Sequence, residues 1–217
     1  MKFQKNAPHG CGSRKIHWRI IKKIKYLCKN KLRWKMVQLY TERLIIRDHV
    51  LDDLTEHHEL LSDEKSMRYL PEIKTKNLNE SKANLLKSIE EAGSKDRKLY
   101  FFRIENKNTK EYIGEIGYTA TKETPFGKIV DMGYFIKEKH WGKGYTTEAL
   151  KRVIEYAFED DNVYRISTGC IKENKGSEKV MIKSGMIKEA EYKEYQLHEN
   201  KLKDRVEYIL LKHEWKK

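Results

Sequence analysis

The segment that most constrains the fold is a strand followed by a glycine-containing loop and a helix with one apolar face. Residues 128–136 are predicted to form the strand, and the loop that follows contains Trp-Gly-Lys-Gly. From residue 144 to 158, apolar residues recur at helical spacing and predict one buried face. They are Ala149, Leu150, Val153, Ile154, Ala157 and Phe158.

The loop has the features of an anion-binding site. Gly142 and Gly144 let the backbone approach a ligand closely, and the first amides of a helix have no partner within it. Because the helix dipole adds partial positive charge there, a pyrophosphate fits without many basic side chains. The spacing is not that of a P-loop. Thr147 stands where a dinucleotide-binding fingerprint has its third glycine.

Patterns elsewhere in the chain predict several more strands and helices. Gly114 and Gly117 within one strand predict a bulge or a close approach of two backbones. The mixture of strands and helices favours an α/β layered domain with a mixed sheet. Besides residues 128–136, the predicted strands are residues 42–48, 99–104, 112–118, 164–171, 186–195 and 205–213.

The net charge of +13 is concentrated near the N-terminus. Of the 46 Lys and Arg residues, twelve lie in residues 1–36, which contain no Asp or Glu, so 34 remain against 33 acidic residues. We expect two parts: a basic extension, 1–36, and a main domain, 37–217. The extension is expected to be either disordered or an amphipathic helix. Alternatively, it is a leader that precedes a true translation start at Met36. The overall charge is therefore weak support for nucleic-acid binding by the main domain.

The cysteines and the hydropathy pattern limit the class of protein. Cys11, Cys28 and Cys170 are far apart and fit neither a disulfide framework nor a zinc site, so no metal is expected. Widely spaced free cysteines indicate a reducing, cytoplasmic setting. No run approaches the roughly 18 apolar residues of a membrane span, and no secretory signal is recognisable.

Residues 139–144, Lys-His-Trp-Gly-Lys-Gly, resemble the Gln/Arg-x-x-Gly-x-Gly/Ala pyrophosphate loop of the GNAT superfamily of acyl-CoA-dependent N-acyltransferases. The surroundings are similar to its Rim-type branch, which includes ribosomal-protein N-terminal acetyltransferases. The likeness runs from Leu39 to Trp215, and Lys139 departs from the usual Gln or Arg. The shared elements are Thr41-Glu42-Arg43-Leu44, Gly133-Tyr134, Glu148-Ala149, Asn174, Ser177, Lys183 and Gly185.

The resemblance implies an α/β fold with a mixed, mostly antiparallel central sheet of about six to seven strands and helices on both faces. It implies acetyl transfer from acetyl-CoA to a primary amine, on a protein N-terminus or a small molecule, without a metal. A ribosomal protein is one implied acceptor. A monomer or a homodimer is expected.

The resemblance also implies which residues bind acetyl-CoA. The pantetheine arm would pair with the backbone at the end of the 128–136 strand, and the loop amides would bind the pyrophosphate. The implied acetyl-CoA contacts are Phe135, Ile136, Lys137, Lys139, Trp141, Gly142, Lys143, Gly144, Tyr145, Thr146, Asn174 and Ser177.

Three side chains are candidates for proton transfer. Asp131 resembles an acidic position that is common in the branch and is the first candidate for the general base, directly or through water. The alternative is that Asp131 is only an exposed carboxylate on a strand, without a catalytic role. Glu115 on the adjacent strand is its rival. Ser177 is a candidate proton donor to the leaving thiolate, or a helix-start residue next to an Asn174 cap. Glu148 and its neighbour four residues on, Arg152, are expected to pair.

Two other functions remain open from the sequence. The same loop suits a non-catalytic acetyl-CoA-binding module that has no working base. The basic residues 1–36 suit a ribosome-associated or RNA-associated protein.

Overall fold

An eight-stranded sheet is the centre of the computed structural model, which describes residues 36–215. The expected basic extension lies outside the described residues except for Met36. The strands are β1 Gln38–Tyr40, β2 Leu44–Asp48, β3 Leu99–Asn106, β4 Tyr112–Thr124, β5 Gly127–Ile136, β6 Val163–Ile171, β7 Ile187–His198 and β8 Lys201–Leu211. The helices are α1 Leu54–Ser62, α2 Leu78–Ala92, α3 Tyr145–Glu159 and α4 Lys175–Lys183, with 3-10 turns at Leu51–Asp53 and Glu138–His140.

The sheet confirms the expected α/β class and is slightly larger than the expected six to seven strands. Its order is β1-β2-β3-β4-β5-β6-β8-β7, and β5 with β6 is the parallel pair among otherwise antiparallel neighbours. The additional strand is β1, which the sequence did not indicate because it has only three residues and no apolar alternation of its own. It is a strand only through its pairing with β2, in which Gln38 lies opposite Arg47.

Helices pack on both faces of the sheet, as expected. Phe101 and Phe102 are consecutive in β3 and so point to opposite faces. Phe102 belongs to the large core that contains the apolar face of α3, whereas Phe101 packs on a smaller cluster with Leu60 and Leu61 of α1. The α3 residues predicted to be buried are all fully buried. None of the helices within residues 36–215 is long and apolar enough to cross a bilayer.

The parallel strands β5 and β6 pair over only part of their length. Their pairing begins with Lys128 opposite Val163 and ends with Asp131 opposite Ser167, although both strands continue. Beyond this point β5 stays paired with β4, and β6 stays paired with β8. The two strands therefore separate, and their inner backbone edges face a gap in the middle of the sheet.

Two glycines of β4 bring backbones together as the sequence predicted. A Cβ atom at Gly117 would overlap the carbonyl oxygen of Tyr100 in β3, and one at Gly114 would overlap the carbonyl of Phe135 in β5. Because Gly114 and Gly117 lack a Cβ atom, the backbone of β4 can approach β3 on one side and β5 on the other.

We expect Gly117→Ala to cost about 1–3 kcal/mol of unfolding free energy, because the added methyl group forces backbone to move. Urea unfolding measures the change. Gly133→Ala is the matched control: Gly133 lies directly opposite Gly117 on β5, and a Cβ there meets nothing within 4 Å. Equal losses from the two variants would contradict this explanation.

Candidate active site

A cleft of about 890 Å³ opens where β5 and β6 separate. Its walls include the β5 segment from Asp131 to Ile136, the β6 segment from Thr168 to Ile171, the loop before α3 and the start of α4. Residues of the chain between α1 and α2 complete the wall on the α1 face. A volume of this size is within the range of small-molecule and cofactor sites.

The loop before α3 presents backbone to this cleft. Gly142 and Gly144 have φ angles of +72° and +79°, in the left-handed region that favours glycine. The first hydrogen bond of α3 runs from the amide of Glu148 to the carbonyl of Gly144, at 3.1 Å. The amides of the helix residues before Glu148 have no partner within the helix. The loop and helix start therefore have the backbone geometry that an anion site requires, and binding of a pyrophosphate there stays a prediction.

Two backbone groups at the end of β5 are already engaged. The indole nitrogen of Trp141 donates to the carbonyl oxygen of Ile136 at 3.0 Å, and the amide of Lys137 donates to the carbonyl of Ile113 at 2.9 Å. These contacts fix the direction in which the chain leaves the strand. A ligand that pairs with β5 would therefore use edge groups that precede them.

An ion pair between β2 and α3 holds the loop in place. The carboxylate of Glu148 accepts from the Arg43 side chain at 2.7 Å, from the Arg43 amide at 2.9 Å and from the hydroxyl of Thr41 at 2.6 Å. Arg43 also donates to the carbonyl of Lys143 at 3.1 Å and lies over the ring of Tyr145. Although partial burial alone would raise the pKa of Glu148, these hydrogen bonds hold it below its ordinary value.

The expected pairing of Glu148 with Arg152 is wrong. Arg152 instead pairs with Glu155, with a nitrogen–oxygen distance of 3.2 Å. Glu148 lies in the first turn of α3, where the Thr41–Leu44 segment offers three donors that a helix neighbour does not match.

The start of α4 closes the cleft opposite the loop. The side chain of Asn174 caps the helix and accepts from the amide of Ser177 at 3.1 Å. The hydroxyl of Tyr134 lies 3.0 Å from the hydroxyl of Ser177. Burial raises the pKa of Tyr134 above its ordinary value and that of the nearby Cys170 thiol to about 11, so both groups are neutral near pH 7.

Asp131 lies at the point where β5 and β6 separate, exposed to the cleft. Partial burial and the nearby Glu207 of β8 raise its pKa above the ordinary value, and Arg205 opposes this shift. Arg205 donates to Glu207 at 2.5 Å. Gly169 makes room for this pair, because a Cβ atom there would overlap the Glu207 carboxylate.

Glu115 lies on the same face of the sheet but is enclosed. It is fully buried, and one carboxylate oxygen contacts Nδ1 of His57 at 2.5 Å and also accepts from the hydroxyl of Tyr112. Phe101 and Phe135 line the cleft, whereas Glu115 does not.

The structure brings most of the predicted site residues to one cleft. Lys139 pairs with Glu111 and Lys137 with Glu59, so both side chains are directed elsewhere. The predicted residues outside the cleft wall are Glu115, Lys137, Lys139, Lys143 and Tyr145. Those in the wall are Asp131, Phe135, Ile136, Trp141, Gly142, Gly144, Thr146, Asn174 and Ser177.

Two groups of cleft residues were missed from the sequence. Lys175, Lys179 and Lys183 recur every four residues along α4 and all line the cleft. Residues four apart lie on the same face of a helix, so this spacing could have predicted a basic stripe along α4. The pair Arg205 and Glu207 had no such signal, since its place beside Asp131 depends on the pairing of β8 with β6.

Comparison with known proteins identifies the class. The model of the acetyltransferase (GNAT) domain family matches residues 43–187, which include the separating strands, the loop and α4. The chain therefore belongs to the GNAT acetyltransferase family and is an N-acetyltransferase, and this family uses acetyl-CoA.

Individual relatives agree with this assignment. An uncharacterised N-acetyltransferase, p20 of Bacillus licheniformis, is 29% identical over 182 residues, 83% of this chain and 99% of that protein. A GNAT-family acetyltransferase structure from Bacillus anthracis is 26% identical, with a TM-score of 0.69 over 82% of this chain and 99% of that one. The ribosomal protein uS5-alanine N-acetyltransferase of Escherichia coli is 28% identical over 121 residues, 56% of this chain and 62% of that enzyme.

We expect Glu148→Gln to weaken acetyl-CoA binding about tenfold, comparable to the loss of one charge-assisted hydrogen bond. The neutral amide no longer holds Arg43, and Arg43 then no longer fixes the Lys143 carbonyl. Titration calorimetry measures the dissociation constant. Glu155→Gln, on the same helix and paired with Arg152, is the control. Unchanged affinity in Glu148→Gln would contradict the role of this ion pair.

Proposed function

We propose that the protein transfers an acetyl group from acetyl-CoA to a primary amine within the cleft between β5 and β6. One observation supports this proposal above the others. The anion-binding loop at the start of α3 and the carboxylate of Asp131 open onto the same cleft. Binding both substrates in one geometry can itself supply several kcal/mol, up to about 7–11.

The donor would bind across the loop, the β5 edge and α4. Amides from Gly142 to Thr146 would donate to the pyrophosphate, and Gly142, Gly144 and Thr146 line the cleft. The basic stripe of α4 adds positive charge for an anionic ligand. Backbone groups of β5 beyond Asp131 have no partner in the β5–β6 ladder, so an extended pantetheine arm can pair with them. A backbone amide on this edge would also polarise the thioester carbonyl.

Asp131 is the better candidate for the general base. It is exposed to the cleft, and its raised pKa makes it a stronger base than an ordinary aspartate. Glu115 is enclosed by His57 and Tyr112, which already use one of its oxygens. We therefore assign proton removal to Asp131, directly or through water.

In this mechanism the amine nitrogen attacks the thioester carbon, and the carbon–sulfur bond breaks. Asp131 takes the proton of the amine. The leaving thiolate takes a proton from the hydrogen-bonded pair of Tyr134 and Ser177, both of which are in the cleft wall. Burial raises the pKa of Tyr134, so the phenol is neutral near pH 7 and offers a hydrogen bond that stabilises the forming thiolate.

The acceptor we favour is the α-amine of a peptide. A carboxylate base is weak, and an α-amine, with a pKa of about 8, loses its proton more readily than a lysine amine at about 10. The relative from Escherichia coli is named for the alanine of ribosomal protein uS5, which is consistent with such an acceptor. A cytoplasmic location remains a prediction.

An acceptor screen tests the activity. The full chain is incubated with acetyl-CoA and either N-terminal alanine peptides, polyamines, aminoglycosides or free amino acids, and thiol release is measured. We expect the alanine peptides to be faster than the same peptides with a blocked α-amine and a free lysine. Binding of acetyl-CoA without thiol release for any acceptor would favour the non-catalytic module.

We expect Asp131→Asn to reduce kcat by about 10²–10⁴-fold, the usual contribution of a general base. The dissociation constant of acetyl-CoA should stay unchanged, since Asp131 does not belong to the loop. Glu189→Gln is a control carboxylate variant, because Glu189 pairs with Arg165 outside the cleft wall. A kcat for Asp131→Asn equal to that of the control would remove the assignment.

The pH profile provides an independent check. Asp131 acts when deprotonated, so kcat/KM should rise with pH through its raised pKa. In Glu207→Gln the acidic limb of the kcat/KM profile should move to lower pH. The negative charge that raises the pKa of Asp131 is removed, and the positive charge of Arg205, which lowers this pKa, is no longer neutralised by Glu207. A limb that stays in place in Glu207→Gln would show that another group titrates.

A further inference from the structure

We propose that His49, His57 and Glu115 bind a divalent transition-metal ion beneath helix α1. The three side chains are buried on the α1 face of the sheet, and one potential ligand atom from each lies within 4.8 Å of the other two. Imidazole and carboxylate together suit zinc and its neighbours in the first transition row. This site was not expected from the sequence, and it is separate from the acetyl-transfer chemistry.

The distances between these atoms are close to those of a metal site. Nδ1 of His57 lies 2.5 Å from Oε1 of Glu115, and Nε2 of His49 lies 3.7 Å from the same oxygen. Ligand atoms around one zinc ion are about 3–3.5 Å apart, from bond lengths near 2.1 Å. The third distance, between the two histidine nitrogens, is at most 4.8 Å. Side-chain movements of roughly 1–1.5 Å therefore separate the present arrangement from coordination.

These residues carry polar atoms that the protein leaves without hydrogen bonds. Nε2 of His57 and Oε2 of Glu115 are buried and have no hydrogen-bond partner among the described residues. The ring nitrogens of His49 have only long contacts with carboxylate oxygens, at 3.4 Å to Asp53 and 3.7 Å to Glu115. A proton on His57 would satisfy its contact with Glu115 but not the atoms of His49. Buried polar groups without good partners are costly, and a cation bound to Nε2 of His49 and to the Glu115 carboxylate would engage groups that now have only long contacts or none.

The charges around the three residues also favour a cation. One network of ion pairs lies beside the three residues. Its carboxylates are those of the buried Asp53 and Glu105 and the half-exposed Glu56, and the buried Glu115 adjoins it. Two guanidinium groups, Arg47 and Arg103, balance them. One to two negative charges are left over. A divalent ion bound to neutral imidazoles supplies the missing charge. The metal-free alternative is one proton on His57 paired with Glu115 at 2.5 Å, since two imidazolium ions with rings 5.3 Å apart would repel each other.

A carboxylate is in place to orient one of the histidines. Oδ2 of Asp53 lies 3.4 Å from Nδ1 of His49, on the side of the ring away from Glu115. Asp53 is itself held by Arg47 at 2.8 Å and by the amide of Val50 at 2.9 Å. Metal-binding histidines commonly have such a carboxylate on their second nitrogen, which fixes the ring.

The proposed ion would join three separate parts of the fold. His57 is on α1, Glu115 is on β4, and His49 follows β2. Phe101 stacks on His49 on one side and lines the cleft on the other. The ion would therefore fix α1 and the floor of the α1-facing part of the cleft without touching the substrates.

The test uses the full chain, stripped with a chelator and then supplied with zinc chloride. We expect a rise in the thermal midpoint of roughly 5–10 °C at a zinc concentration about a hundred times the dissociation constant. Elemental analysis after gel filtration should show one more zinc per chain in the wild type than in His57→Gln or Glu115→Gln. Cobalt should bind at the same site without sulfur-to-metal charge-transfer absorption, which separates it from binding at Cys11 or Cys28.

His58→Gln is the matched control, because His58 is the next residue on α1 and bonds to Ser81 outside the cluster. This variant should keep the extra zinc and the rise in thermal midpoint. Glu115→Gln preserves size and hydrogen bonding, so it serves if His57→Gln does not fold. The proposal is overturned if zinc leaves the wild-type midpoint unchanged, if the wild type and Glu115→Gln hold equal zinc, or if bound cobalt shows thiolate absorption. Any of these results would mean that the cluster is a metal-free network of buried ion pairs, and none of them concerns acetyl transfer.

Discussion

The end of the β5–β6 pairing at Asp131 and Ser167 is the constraint on which the rest of the site depends. Each strand keeps a complete ladder on its outer side, with β4 or β8, so the sheet remains continuous while its middle opens. Backbone groups on the inner edges then need partners from a ligand or from water. The same separation exposes Asp131 and creates the cleft, so the proposed donor binding and proton transfer would both depend on one local feature.

The loop before α3 depends on a contact between parts of the chain that are about a hundred residues apart. Arg43 and Thr41 hold Glu148, and Arg43 also holds the carbonyl of Lys143. Glycine gives the loop its left-handed conformations, but flexibility alone would not keep the amides directed at one ligand. The contacts of Arg43 with Glu148 and with the Lys143 carbonyl restrain both ends of the loop segment that precedes α3.

The face of the sheet that packs against α1 contains many buried charged side chains. Glu115, His49 and His57 lie beneath Phe101, next to the ion pairs of Arg47 and Arg103. A buried charge is tolerated only when it is paired, so this region is held by electrostatic contacts where a typical core would be held by apolar ones. The cleft above it is therefore built on a floor whose stability depends on charge balance.

The sequence alone was sufficient for the features that depend on local pattern. The apolar face of α3, the glycine loop and the close approach at Gly114 and Gly117 all follow from spacing over a few residues. The α/β class followed from the mixture of predicted strands and helices, and the mostly antiparallel arrangement of the sheet followed from resemblance to a family. Only the tertiary structure decided that Glu207 adjoins Asp131 and that His57, not His58, faces Glu115. Strand register and the rotation of α1 against the sheet determine these neighbours, and both are set by packing between residues that are distant in the chain.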